Sequence, residues 1–161
     1  MKILAIDPGN AESGWVIIDA ETCRPLEFGK WGNEQLRRAC LLNGPFMVDH
    51  VAIEMIASYG MAVGVEVFDT CVWIGRFTEA LLYATQETPT LVVRRPVKLH
   101  HCGSAKATDA NIAQALKDRF AYGQPNHGKG TKADPGWFHG FFKDIWQAYA
   151  LAVYLADTTS G

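Results

Sequence analysis

Three acidic residues stand where this chain can do metal chemistry. Asp7 follows an apolar run and is itself followed by Pro8 and Gly9, so its carboxylate projects from a strand tip as the chain turns away. Glu54 ends the run Val51-Ala52-Ile53-Glu54, and an ionisable group at the end of a buried strand is costly unless something pairs with it. Asp144 falls in the first turn of the last predicted helix, on the side of Ala148 and Leu151. Carboxylates at the tips of two central strands converge on one rim of a sheet, where a hard divalent cation relieves their repulsion. With Asp144 leaning toward that rim, the three can hold one or two Mg²⁺ ions. Each residue also has a plainer reading: Asp7 as a turn residue, Glu54 as a paired strand-end charge, Asp144 as a charge that favours a helix dipole.

The elements that must position them follow from hydrophobic period. Lys2 to Ile6 and Gly14 to Asp19 are apolar runs separated by the Asp-Pro-Gly turn, which predicts an antiparallel hairpin, and Leu26 to Trp31 predicts a third strand. Asn33, Glu34, Leu36 and Leu41 predict a short helix, Val51 to Glu54 a buried strand, and Leu91 to Val93 another. From Glu66 to Thr85, Val67, Cys71, Ile74 and Leu81 recur at helical spacing with Gly75 as the weak point. Pro96 can open a helical turn, and Ser104 or Thr108 can cap a helix carrying Ile112, Leu116 and Phe120. Gly123 to Gly136 predicts a mobile basic loop, and Lys143 to Ala156 a closing helix. The order β-β-β-α-β-α-β-α-α predicts an α/β fold, a mixed five-stranded sheet flanked by helices.

Length and composition narrow the class. The 161 residues, 48% apolar, suit a single domain over 1–161. No apolar stretch is long enough for a membrane span, and Met1 leads directly into the first strand, so a soluble, unprocessed protein is expected. Cys23, Cys40, Cys71 and Cys102 are scattered without a CxxC pair, which suits reduced thiols in a cytoplasm. His100-His101-Cys102 lacks a second ligand pair for zinc. The net charge of −2 is uneven: Arg94 to Lys132 carries +6 and the remainder −8. Such asymmetry allows a basic face for phosphates beside an acidic site, although a solvated helix surface gives a milder version of it.

The ordered blocks Ile6-Asp7-Pro8-Gly9 with Ser13-Gly14-Trp15, Ala52-Ile53-Glu54-Met55, Pro96-Val97-Lys98 with Gly103-Ser104-Ala105, and Asp144-Ile145-Trp146-Gln147-Ala148 span nearly the whole chain. In that order they resemble the RuvC-type Holliday junction resolvases of the RNase H-like superfamily. The stretches from Glu54 to Gly60 and from His101 to Ala105 look especially like small RuvC-like proteins of bacteriophages, for which a host cytoplasm is implied.

The resemblance implies an RNase H-like fold and a Mg²⁺- or Mn²⁺-dependent endonuclease that resolves four-way DNA junctions with two ions per site. Asp7 bridges both ions in that scheme, Glu54 and Asp144 each bind one, and the products carry 5′ phosphates. Symmetric cutting implies a homodimer, with the helix from Glu66 onward as its expected interface. Family members carry a further acidic residue, or an acid and a histidine, spaced i, i+3 at the start of the last helix, but position 147 is glutamine. His139 and Asp109 are the two candidates for the fourth ligand. Tyr59 occupies the loop where relatives carry an aromatic that inserts at the crossover. Arg76, Arg94, Arg95, Lys98 and Lys106 are expected phosphate contacts, and Lys129 and Lys132 can close over a bound strand. Three rivals stay open: an RNA-processing nuclease with the same metals, a junction-binding protein without catalysis, and a phosphotransferase or ATPase suggested by Asp7-x-Gly9. That last fold needs two such domains around its nucleotide, for which 161 residues are too few.

Overall fold

The computed structural model describes residues 1–42 and 47–160. Strands β1 (Lys2–Asp7), β2 (Glu12–Asp19), β3 (Pro25–Gly32), β4 (His50–Met55) and β5 (Thr90–Val93) form one sheet in the order β3-β2-β1-β4-β5. The β1–β2 and β2–β3 pairs are antiparallel, while β1–β4 and β4–β5 are parallel. This is the mixed five-stranded sheet expected from the pattern. Helices α1 (Asn33–Leu42) and α2 (Val65–Thr85) cover one face; α3 (Arg94–Cys102), α4 (Asp109–Phe120) and α5 (Ile145–Thr159) cover the other.

Alternation along the strands sorts the two cores. Ile3, Ala5, Val16, Ile18 and Ala52 pack under α5, whereas Leu4, Ile6, Trp15, Ile17 and Ile53 pack under α1 and α2. The apolar stretch of β1 is buried on both faces, which explains its unbroken run. Helix α5 lies deepest, and Ala148, Ala150 and Ala152 on it are fully buried. Ahead of it, Phe138 and Phe141 pack on Trp146 with ring centroids 4.7 and 5.0 Å away. The Tyr149 hydroxyl donates to the Cys23 carbonyl at 2.9 Å and accepts from Trp137 Nε1 at 3.1 Å. These contacts hold the chain entering α5, and with it Asp144.

The boundaries differ from expectation in instructive ways. A full helix, α3, occupies the place where Pro96 promised only a turn; Pro96 sits third in that helix, where its missing N–H breaks no intrahelical bond. Helix α5 begins two residues later than expected, because Lys143 at φ +46° turns the chain first. Gly75 does not interrupt α2. Thr108, rather than Ser104, caps α4, in a reciprocal capping box with Asn111. The basic loop is knit internally: Gly130 N donates to Pro125 O at 3.1 Å and Phe138 N to Gly128 O at 2.8 Å. The adjacent histidines are engaged in packing, His100 Nε2 with Asp157 Oδ2 at 2.6 Å and His101 Nε2 with Ala150 O at 2.7 Å. All four cysteines are free thiols, and among the described residues no helix is long and apolar enough to cross a membrane.

Candidate active site

Strand register brings the expected carboxylates together. Asp7 pairs with Gly14 across β1–β2, and Gly14 pairs with Lys30 across β2–β3. On the other side Ile6 pairs with Ile53, so the next residues along, Asp7 and Glu54, lie side by side. Lys30, Gly14, Asp7 and Glu54 thus form one row across the end of the sheet, on the face that α5 covers.

Gly14 admits the third acid. A Cβ built there would lie 2.7 Å from the Asp144 backbone and 2.8 Å from its Cβ, so only glycine lets the start of α5 rest on β2 beside Asp7. The turn after Asp7 is locked by buried polar side chains. Ser13 Oγ donates to Asn33 Oδ1 at 2.6 Å, Gly9 N donates to Ser13 Oγ at 3.2 Å, and Asn33 Nδ2 donates to Gly9 O at 2.9 Å.

Charge is concentrated here. Burial, then the nearby Glu54 and Asp144, push the Asp7 carboxyl well above the usual carboxylate range, with Arg94 acting in the opposite sense. Burial also raises Glu54, again against the pull of Arg94. Two cations answer the acids from within the protein. Lys30 Nζ lies 2.7 Å from Asp144 Oδ2 and 3.9 Å from Glu12 Oε2, and its hydrogen bond to Asp144 raises its own pKa. Arg94 Nη1 reaches Glu54 Oε1 at 3.4 Å, while Nη2 donates to Gln147 Oε1 at 2.9 Å and to Asp109 Oδ1.

The donor chemistry of Asp7, Glu54 and Asp144 fits a hard cation. All three offer carboxylate oxygens, and a divalent ion between them would relieve the repulsion that raises Asp7. With Asp144 drawn to Lys30 and Glu54 to Arg94, no three His, Cys, Asp or Glu side chains among the described residues stand close enough to enclose an ion.

The other expected residues separate. Asp109 joins the cluster through Arg94, whereas His139 is exposed, with Nδ1 3.1 Å from Lys129 O. Arg94, expected among the phosphate contacts, turns inward instead. Arg95 is exposed and Lys98 half-buried on α3, which starts at the site end of the sheet, and Lys106 is exposed just before α4. Tyr59, 67% exposed, lies in segment 56–64, which leaves that same end after β4. Arg76 is on α2 beyond the opposite face, its guanidinium 4.7 Å from the Trp73 ring centroid. Lys129 is half-buried and Lys132 exposed in the internally bonded loop. Lys30 had no part in the expected site, and Asn33 was expected only as a helix start. The only signal for Lys30 was its two-residue spacing from the inward-facing Phe28.

No protein-family model matches the sequence, and no curated protein matches it. Solved structures do. The chain superimposes on RuvC of Thermus thermophilus with a TM-score of 0.72 at 17% identity, covering 99% of this chain and 96% of that one. It also superimposes on T. thermophilus RuvC in complex with Holliday junction substrate with a TM-score of 0.66 at 18% identity, covering 99% and 94%. The fold is therefore the RNase H-like fold of RuvC.

Proposed function

We propose that this protein is a divalent-cation-dependent endonuclease that cuts branched DNA, four-way junctions foremost, from a single RNase H-like domain. The observation that carries the reading is the convergence of Asp7, Glu54 and Asp144 on one rim, built by strand register and by the close approach over Gly14. The likeness to a RuvC structure holding a Holliday junction supports the substrate class.

Asp7, beside Glu54 in the row and next to Gly14, over which Asp144 rests, would be the shared carboxylate. A bound Mg²⁺ or Mn²⁺ would supply a water of lowered pKa and neutralise charge on the phosphate. The protein's own part is to hold the acids oriented: Ser13 and Asn33 fix the turn behind Asp7, and Lys30 steadies Asp144. Arg95 at the start of α3, Lys98 further along it and the exposed Lys106 would make phosphate contacts that orient a strand, and Tyr59 offers a face on which a base can stack. Hydrolysis by attack of water at phosphorus with the 3′ oxygen leaving gives 5′-phosphate nicks.

Paired nicks need two sites related by a two-fold axis, and the reading includes a homodimer. Val65, Phe68 and Val72 form an exposed apolar stripe on α2, which suits that contact. Phe68→Asp is expected to convert a dimer to a monomer in sedimentation.

The test is cleavage of a labelled four-way junction beside linear DNA duplex and RNA duplex, with Mg²⁺ or Mn²⁺ and Asp7→Asn as control. Symmetric nicks confined to the junction, and lost in Asp7→Asn, are expected. Cutting of the RNA duplex alone would move the substrate to RNA. Junction binding without cutting would favour an inactive binding module, a reading that Gln147 in place of an acid supports.

A further inference from the structure

The acid cluster contains an anomaly that the proposed nuclease reading does not use. Gln147 lies one turn into α5 from Asp144 and is only 7% exposed, yet its carboxamide is not an idle core polar group. Its oxygen accepts from Arg94 Nη2 at 2.9 Å, across 53 residues of sequence. The same guanidinium is shared with Glu54 and Asp109. A neutral acceptor at 147 and a fixed cation at 94 therefore meet on the Glu54 side of the site, while the Asp144 side is answered by Lys30.

We infer that Arg94 permanently occupies the place of one of two cations, so that this chain works with a single divalent ion bound between Asp7 and Asp144, and with the Arg94 guanidinium on the Glu54 side. The inference rests on the metal-dependent reading above and narrows its ion count.

Geometry argues that Arg94 stays. A second ion displacing it would strip the buried Gln147 oxygen of its donor and would move a half-buried guanidinium into no better company. A planar fork with several donors satisfies Glu54, Gln147 and Asp109 together, which an ammonium at the same position does less well. Held there, the guanidinium presents positive charge to a phosphate without the dehydration that Mg²⁺ requires.

The experiment is Mn²⁺ titration of the full chain, counting bound ions by equilibrium binding and reading their separation by low-temperature electron paramagnetic resonance. One ion per chain with an isolated six-line signal is expected for the native protein and for Arg94→Lys. Two ions with a dipolar-coupled signal are expected for the double variant Arg94→Met, Gln147→Asp. Two coupled ions in the native chain would overturn the inference while leaving the nuclease reading intact. A double variant that melts cooperatively yet still binds one ion would overturn it as well. If that variant does not fold, the native count alone decides. No bound Mn²⁺ in the millimolar range would instead bring down the metal-dependent reading beneath it.

Discussion

The two faces of the sheet are built from the same strands and end differently. Toward α1 and α2 the inward residues are apolar to the strand tips, with Ile6 and Ile53 fully buried against Phe77 and Leu81. Toward α5 the alternate positions run Ile3, Ala5 and Ala52 and then arrive at Asp7 and Glu54, one residue further along. A single step along each strand separates a dry core from a cluster of coupled charges. Such a cluster is tolerable only at the tips, where Lys30, Arg94 and solvent are within reach, because an unpaired carboxylate deeper in the sheet would carry a large desolvation penalty. Both faces hold the protein together through their apolar cores, and only the α5 face ends in a cluster of acids.

Substitutions placed on opposite faces should separate those roles. The largest expected effect is on chemistry: Asp7→Asn should lower single-turnover junction cleavage by roughly 10³-fold or more while junction binding persists. Its counterpart Phe77→Ala should cost about 3–5 kcal/mol in a urea melt, with cleavage per folded molecule unchanged. If Phe77→Ala molecules that remain folded lose cleavage as deeply as Asp7→Asn, the faces are not separable in this way.

Glycines give a second pair. Gly14→Ala forces Asp144 off β2 and is expected to destabilise by about 1–3 kcal/mol, with cleavage falling as well. Gly75→Ala, with open space around its added methyl and a helical backbone, should stabilise by about 0.5–1 kcal/mol and leave cleavage alone. Surface residues sharpen the contrast at the level of binding. Tyr59→Ala should weaken junction affinity by about 1–3 kcal/mol, and Arg76→Ala, on the far helix, should leave a binding isotherm nearly unmoved.

The smallest effect is read as pH dependence of the metal-free protein. Asp7 and Glu54 titrate above their usual values in the folded state, so between the unfolded and folded values the native protein holds more protons than the unfolded chain. Their contribution to stability must then fall as pH rises from the ordinary carboxylate range through the raised values. Melting temperature in EDTA should drop across that interval, Asp7→Asn should flatten the drop, and Mg²⁺ should oppose it in the native protein. A melting temperature that instead rises through the interval in EDTA, equally in both proteins, would show that the acids are not repelling one another.

Much of this arrangement is legible in local pattern. Period-two alternation marks the strands, helical spacing marks α2 and α5, and acids at the ends of apolar runs mark Asp7 and Glu54. These signals are readable because they involve neighbours within a few residues, whose relative placement the backbone geometry dictates. Local pattern also pointed to Thr108 as a cap and to Asn33 as a helix start, yet not to the buried hydrogen bonds by which Asn33 secures the turn after Asp7.

By itself, then, the sequence determined the five strands, their order among the helices other than α3, and the three acids at the ends of their elements. Only the tertiary structure decided that Lys30 answers Asp144, that Gly14 lets α5 rest on β2, and that Arg94 faces the acids rather than solvent. Those outcomes depend on strand register, on how closely a helix can approach a glycine, and on a bond between residues 53 positions apart. A half-buried guanidinium adopts the orientation that satisfies the most acceptors, and those acceptors are assembled only when the distant elements pack.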